Sequence, residues 1–128
     1  MRRLILTLLL TTLALAQDPP KDVQTFFRTA AEALADQDPD AFLDHFDRGM
    51  PGFAQLRDDV QALASSDVSS TVEIAKDEGD VQSRLVELDW RIRIDQGRPR
   101  REIVRCKIEK QGKKWKLVSF EPVRFFQK

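Results

Sequence analysis

The amino-acid sequence predicts an α+β domain in which three N-terminal helices pack on a curved, antiparallel, four-stranded sheet. Three observations support this prediction. Apolar residues recur every three or four positions up to about residue 64, they alternate with polar residues from residue 68 onward, and short glycine- and proline-containing segments separate the alternating runs. The first spacing is that of an amphipathic helix and the second that of a half-buried strand. Helices followed by consecutive strands are typical of the α+β class.

Residues 1–16 are predicted to be a secretory signal peptide and residues 17–128 a single domain. Two N-terminal arginines precede an apolar run at residues 4–13, and Ala-Leu-Ala at residues 14–16 has the pattern of a cleavage site. The apolar run is too short to span a bilayer comfortably. We therefore expect cleavage, no membrane span after it, and a periplasmic or secreted protein.

Charge is distributed unevenly along the chain. Eleven acidic and four basic side chains lie in residues 17–67, whereas ten acidic and fifteen basic side chains lie in residues 68–128. A nucleic-acid-binding domain is usually basic overall or carries a basic stripe with exposed aromatic residues. Since this chain has no net charge, we expect no nucleic-acid partner. The two halves could instead pack on each other or on a second copy.

The first two predicted helices begin at Asp-Pro pairs, in which aspartate caps the helix and proline occupies its first turn. Asp18 is predicted to cap the first helix and Asp38 the second, and the segment RGMPG at residues 48–52 precedes the third. The apolar positions predicted to face the sheet are Val23, Phe26, Phe27, Ala30, Ala31 and Leu34 in the first helix, Phe42, Leu43 and Phe46 in the second, and Phe53, Leu56, Val60, Leu63 and Ala64 in the third.

Four strands are predicted after residue 68, with turns at residues 77–80, 96–99 and 111–113. The inward-facing positions are Val72 and Ile74, then Val86, Leu88, Trp90, Ile92 and Ile94, then Val104, Cys106 and Ile108, and finally Trp115, Leu117 and Phe120. The step from Leu117 to Phe120 breaks the alternation and predicts a bulge. Phe125 and Phe126 are predicted to continue this last strand and to close the core. The lone Cys106 is predicted to be buried.

Four segments, taken in this order, resemble the NTF2-like superfamily, which includes SnoaL-like and ketosteroid isomerase-like proteins. They are FFRTAAEALADQD at residues 26–38, PDAFLDHFD at residues 39–47, VELDWRIRI at residues 86–94 and WKLVSFEPVRFF at residues 115–126. The resemblance implies a cystatin-like cone, in which helices lie across a curved sheet and the open end can hold a small molecule. Members commonly place a short strand pair between the second and third helices, where this chain has only RGMPG.

The residues limit which chemistry of that family this chain could perform. The sequence contains no tyrosine and no asparagine. An oxyanion hole built on tyrosine is therefore excluded, and so is the hydrolase type, which the resemblance implies needs both residues. One histidine and one cysteine on different elements make a poor metal site, and we expect neither a metal nor a cofactor.

His45 is the single catalytic candidate. It lies between Asp44 and Asp47, and a histidine beside carboxylates is the usual arrangement of a general base. At 100° per residue it falls on the border of the apolar helix face. The favoured interpretation is a half-exposed border histidine without a catalytic role.

If the cone has a pocket, its wall is predicted to contain His45, Phe46, Phe53, Trp90 and Trp115, although packing in the core is favoured for the two tryptophans. The predicted function is a module that binds a small apolar ligand or a protein partner, without a defined catalytic activity. Two alternatives remain open. One is an isomerase-, dehydratase- or hydrolase-type enzyme with His45 as base, and the other is a dimeric scaffold without a ligand.

Two charged regions complete the prediction. The outward positions of the second strand, Glu87, Asp89, Arg91 and Arg93, could pair with Arg105, Lys107 and Glu109 on the next strand. The same open sheet face could form a homodimer. The segment GRPRR at residues 97–101 is predicted to be a solvated loop, with a surface for an anionic partner as the alternative.

Overall fold

The computed structural model describes residues 19–128, so the predicted signal peptide and Asp18 lie outside the described residues. The helices are α1 (Lys21–Ala35), α2 (Pro39–Leu43) and α3 (Phe53–Ala62), and the strands are β1 (Val68–Gly79), β2 (Ser83–Ile94), β3 (Arg100–Gln111) and β4 (Lys114–Glu121). The strands form one antiparallel sheet in the order β1-β2-β3-β4. The predicted α+β class, with helices packed on a four-stranded sheet, is confirmed.

The helices follow the predicted apolar stripes, with corrections at their ends. Pro20 occupies the N-cap position of α1, so the helix begins later than a cap at Asp18 would place it. The Asp38 carboxylate accepts a hydrogen bond from the Ala41 amide at 3.1 Å, which confirms the predicted cap of α2. α3 ends at Ala62, and Ala64 beyond it is exposed, in contrast to the prediction.

The sheet differs from prediction at its first hairpin. β1 continues through Gly79, and the reversal lies at residues 80–82, where the Asp80 carboxylate accepts hydrogen bonds from the Gln82 and Ser83 amides at 2.8 and 2.9 Å. These side-chain bonds allow the strand pairing to extend into the segment predicted to be a turn. The predicted bulge in β4 is confirmed, since the register shifts where Ile108 pairs with Leu117 and Lys107 pairs with Ser119.

The concave face of the sheet is filled by aromatic rings centred on Trp90. The ring of Trp90 lies 5.2 Å from that of Phe126, 6.0 Å from Phe120 and 6.2 Å from Phe42, each in an edge-to-face arrangement. Phe125 and Phe126 are buried as predicted, but they follow β4 in a turn and do not extend the strand. The backbone reverses after Glu121, and this reversal directs both rings back into the core.

Cys106 is buried on the same face, as predicted, and its thiol lies 3.5 Å from the Val86 carbonyl. Burial raises the pKa of the Cys106 thiol well above its ordinary value, because desolvation disfavours the thiolate.

The convex face of the sheet, which we call the outer face, is charged. Asp89 accepts two hydrogen bonds from the Arg101 guanidinium, at 2.9 and 2.7 Å. The cross-strand partner of Asp89 is therefore Arg101, which sequence reasoning did not include among the partners. Lys107 instead contacts Glu109 on its own strand, at 3.3 Å. Leu85 and Ile103 stand among these charges and are 60% and 50% exposed.

Among residues 19–128, no helix combines the length and the apolar character needed to cross a membrane.

Candidate functional site

An open groove of about 590 Å³ lies where α1, the end of α2 and the hairpin between β3 and β4 meet. We call it the lysine groove. Its lining residues are Asp22, Thr25, Phe26, Asp44, His45, Lys110, Lys113, Lys114, Trp115 and Lys116.

The backbone of His45 is fixed by the edge of β4. The Leu117 amide donates to the His45 carbonyl at 2.8 Å, and the Asp47 amide donates to the Leu117 carbonyl at 2.8 Å. These bonds form a single parallel bridge between the segment after α2 and β4. The bridge pairs an otherwise open strand edge and sets His45 beside the hairpin lysines.

The imidazole of His45 has a polar partner at each ring nitrogen. Nδ1 lies 2.9 Å from the carbonyl oxygen of Ala41, and Nε2 lies 3.0 Å from the hydroxyl of Thr29. Since a carbonyl only accepts, Nδ1 donates to Ala41, and the lone pair of the neutral ring lies at Nε2. The Thr29 hydroxyl beside that lone pair also lies 3.0 Å from the Phe26 carbonyl, and its one hydrogen can serve only one of the two acceptors. The predicted partners Asp44 and Asp47 do not occupy these positions. His45 would have to give up the Thr29 hydroxyl before its lone pair could accept a proton from a ligand.

Burial lowers the pKa of His45, because the partly desolvated ring disfavours the charged form, and nearby Lys116 lowers it further. Hydrogen bonds with the backbone act in the opposite direction but do not outweigh burial. The ring of Phe26 lies 4.9 Å from the imidazole and supplies part of the apolar surroundings. The neutral ring is therefore the favoured form near neutral pH.

Trp115 forms the far wall of the groove and is held in place by α1. Its Nε1 donates to the Asp22 carboxylate at 2.9 Å, and this bond is the main reason that the pKa of Asp22 is lowered. The Lys110 ammonium lies 4.9 Å from the centre of the Trp115 ring and 3.7 Å from Asp22. An ammonium over an indole face is a favourable cation–π contact, so Trp115, Asp22 and Lys110 support one another.

Four lysines give the groove its charge. Lys113 and Lys114 are exposed at the tip of the hairpin, and Lys116 donates to the Asp44 carbonyl. Their positive charge exceeds that of the two carboxylates in the lining, and like charges gathered around a concave surface attract anions.

The structure brings two of the five predicted pocket residues, His45 and Trp115, to one groove, although Trp115 is 7% exposed and also belongs to the core. It places Phe46, Phe53 and Trp90 in the packed core, where they are 2%, 8% and 0% exposed. The rings of Phe125 and Phe126 occupy the space between the sheet and α2 into which such a wall would have faced. A ligand beside Trp90 would have to displace these rings.

Sequence reasoning missed the lysines and Phe26 as site residues. The available signal was the segment KQGKKWK at residues 110–116, which carries four lysines around one turn and a tryptophan. Phe26 lies at the border of the α1 stripe and is only partly buried.

Within the described part of the chain, no three histidine, cysteine, aspartate or glutamate side chains cluster closely enough to hold a metal ion.

Solved structures share this arrangement of helices and sheet. An NTF2-like protein of unknown function from Shewanella oneidensis superposes with a TM-score of 0.67 at 12% identity, covering 78% of this chain and 94% of that protein. The chain has the NTF2-like fold. A scytalone dehydratase-like protein from Novosphingobium aromaticivorans gives a TM-score of 0.67 at 12% identity and covers 78% of this chain and 79% of its own.

A further match is Bd1075 of Bdellovibrio bacteriovorus, with a TM-score of 0.66 and 18% identity over 79% of this chain. The match covers only 40% of Bd1075, so this chain corresponds to less than half of that protein. No family model matches the sequence, and no curated protein matches it significantly. One fold can host different functions, so the residues of the lysine groove, and not the fold, indicate what this chain does.

Proposed function

We propose that this chain is an exported NTF2-like module that binds a small organic anion in the lysine groove and catalyses no reaction on it. One observation carries the proposal: four lysines surround a groove walled by Phe26 and a fixed Trp115, while aromatic rings fill the interior of the cone. Export rests on the predicted signal peptide at residues 1–16.

The walls of the groove favour a ligand with both a planar apolar part and an anionic group. Phe26 and the small exposed part of Trp115 supply aromatic surface, and the exposed ammonium groups of Lys113 and Lys114 lie at the mouth. Binding sites of this kind combine apolar walls with a few charged groups that fix orientation. The sequence predicts a small apolar ligand. The lysines of the groove favour a ligand that also carries an anionic group.

The surroundings of His45 support binding without catalysis. Ala41 and Thr29 lie against its two nitrogens, at 2.9 and 3.0 Å. A general base needs a free lone pair within hydrogen-bond reach of the substrate proton. The alternative, an enzyme with His45 as base, requires a ligand that replaces the Thr29 hydroxyl.

Benzoate and benzamide test this proposal, because they share one shape and differ in charge. In a titration followed by amide and indole NMR signals, benzoate should shift the Trp115 indole resonance and benzamide should not. Replacing Lys113 and Lys114 together by glutamine should abolish the benzoate shifts. Lys76→Gln, which changes an exposed lysine on β1 outside the groove, should leave them unchanged. Equal shifts with both compounds would contradict the role of the lysines.

We also propose that the outer face forms a homodimer. Leu85 and Ile103 are large apolar side chains that remain exposed there, and the surrounding charges are of both signs. An isologous two-fold interface places each charged group opposite the same surface of a second copy, where opposite signs can pair. A dimeric scaffold without a ligand would use this face alone.

A further inference from the structure

A second groove lies at the opposite end of β3 from the lysine groove, beside the turn that joins β2 to β3. It has a volume of about 520 Å³. We call it the arginine groove. Its lining residues are Ile92, Ile94, Asp95, Gly97, Arg98, Pro99, Arg100 and Lys128.

The floor of the arginine groove is apolar. Ile92 is 2% exposed and belongs to the core, and Ile94 is partly buried against it. Pro99 adds further apolar surface from the turn. Contact with such a floor removes apolar ligand surface from water, which favours binding. The floor therefore suits a hydrocarbon chain or ring.

The rim of the arginine groove is basic. Arg98 is exposed there, and Lys128 closes the other side. Arg100 is half-buried, and one nitrogen of its guanidinium donates to the Phe125 carbonyl, which fixes the end of the side chain and leaves its other donors for a ligand. The single carboxylate side chain in the lining, that of Asp95, already accepts from the Asp67 amide at 2.8 Å and lies 3.7 Å from the Lys128 ammonium. The arginines therefore keep their charge available for an anion.

The turn that shapes the groove is held in an uncommon conformation. Asp95 and Gln96 have φ angles of 51° and 62°, in the left-handed region that residues other than glycine rarely adopt. Three bonds hold the turn: Gly97 amide to Ile94 carbonyl at 2.9 Å, Asp95 amide to Asp67 carbonyl at 2.7 Å, and Arg93 guanidinium to Gly97 carbonyl at 3.0 Å. Such conformations persist only where the surroundings determine them, and they are frequent at binding sites.

We propose that the arginine groove binds a single-chain amphiphilic anion, with its hydrocarbon part over Ile92 and Ile94 and its carboxylate or phosphate head at Arg98 and Arg100. Arginine offers a planar set of donors that matches both kinds of head group. Because hydrogen bonds already hold the β2–β3 turn, binding costs little conformational entropy of the backbone. This site uses none of the residues of the lysine groove, so it does not depend on the function proposed above.

Three probes separate the two parts of the proposed ligand: octanoate, octanamide, which has nearly the same chain without the charge, and acetate, which has the charge without the chain. NMR titrations of the mature protein locate and measure binding at once. Octanoate should shift the signals of Ile94 and Gly97 and bind at least fivefold more tightly than either other probe. Octanamide binding as tightly as octanoate, or octanoate shifts confined to Trp115, would overturn the proposal.

An arginine pair provides the matched variants. Arg98→Gln removes one exposed charge at the rim and should weaken octanoate binding about fivefold, the usual size of one exposed ionic contact, while leaving octanamide unaffected. Arg105→Gln removes an exposed arginine from the outer face of β3 and should change neither. Unchanged octanoate affinity in the Arg98→Gln protein would overturn the proposal. The Lys113→Gln, Lys114→Gln protein should bind octanoate normally, so failure of the lysine groove would not affect this outcome.

Discussion

Trp90 is fixed through both parts of its side chain. Its ring packs against Phe42, Phe120 and Phe126, and its Nε1 donates to the Ser70 hydroxyl at 2.9 Å. Truncation would leave a cavity among rings that cannot collapse independently, and it would leave the hydroxyl without its donor. Trp90→Ala should therefore lower the free energy of unfolding by about 3–5 kcal/mol in a urea titration.

Trp90→Phe serves as the control for that experiment, because it keeps an aromatic ring and removes the indole donor. The loss should be clearly smaller than for alanine. A change near zero for Trp90→Ala would mean that the ring does not support the core.

His45 should make stability depend on pH in one direction. Its folded pKa lies below its ordinary value of about 6.5. Between the folded and unfolded pKa values, the unfolded chain binds a proton that the folded chain does not, so stability rises with pH in this window. The contribution is fully present above pH 6.5 and is lost as the pH falls through the folded pKa.

Urea titrations at pH 7.5 and 5.5 measure this contribution. The native protein should lose more stability on acidification than His45→Gln, in which the other titrating groups remain. Since the chain has one histidine, its ring signals also report the folded pKa directly by NMR. A pKa above 6.5 would contradict the expected effect of burial.

At the scale of elements, two hairpin glycines differ in what surrounds them. Gly79 ends β1 with φ of 148°, and a Cβ there would lie 2.2 Å from the Ser83 carbonyl oxygen. Gly112, between β3 and β4, has φ of 67° and open space around the same position. Gly112→Ala should cost about 1–2 kcal/mol through backbone strain alone.

Gly79→Ala should cost more than Gly112→Ala, because strand pairing must shift to relieve the contact with Ser83. Thermal unfolding of the two variants compares them directly. Equal losses would indicate that the first hairpin can relax around an added methyl group.

The spacing of apolar residues predicted the order of helices and strands, because an element that buries one face needs apolar side chains at the period of a helix or a strand. The alternation from Val86 to Ile94 and the α1 stripe both appear in the structure as predicted. Even the bulge after Leu117 was visible, since a broken alternation has few other causes. The end of β1 was not, because Asp80 extends the hairpin through hydrogen bonds that a local pattern does not reveal.

The candidate site was less predictable than the fold. The phase of a strand places Trp90 and Trp115 on the same face, and both are buried, but it does not tell that Trp115 also borders a groove. The surroundings of Trp90 depend on Phe125 and Phe126, which contact it although they lie more than thirty residues away in the sequence. The lysine groove joins Phe26, His45 and the second hairpin, and only the folded chain brings these three segments together.

At the scale of the whole molecule, the proposed homodimer depends on the centre of the outer face. Ile103 pairs across the sheet with Asp89, so a glutamate there would add a second carboxylate at the proposed two-fold interface. Ile103→Glu should convert a dimer into a monomer, as measured by sedimentation equilibrium. Val81→Glu changes a more exposed apolar residue in the β1–β2 turn and should leave the dimer intact. A native protein that sediments as a monomer would contradict the dimer.

The position of the last aromatic rings has a consequence for when the domain can fold. A nascent chain synthesised only as far as Glu121 contains every helix and strand, yet it lacks the two rings that pack against Trp90. Its concave face would remain open to water, and a chain without a closed core gains little from ordering its backbone. Completion of the core must therefore wait until Phe125 and Phe126 have been synthesised.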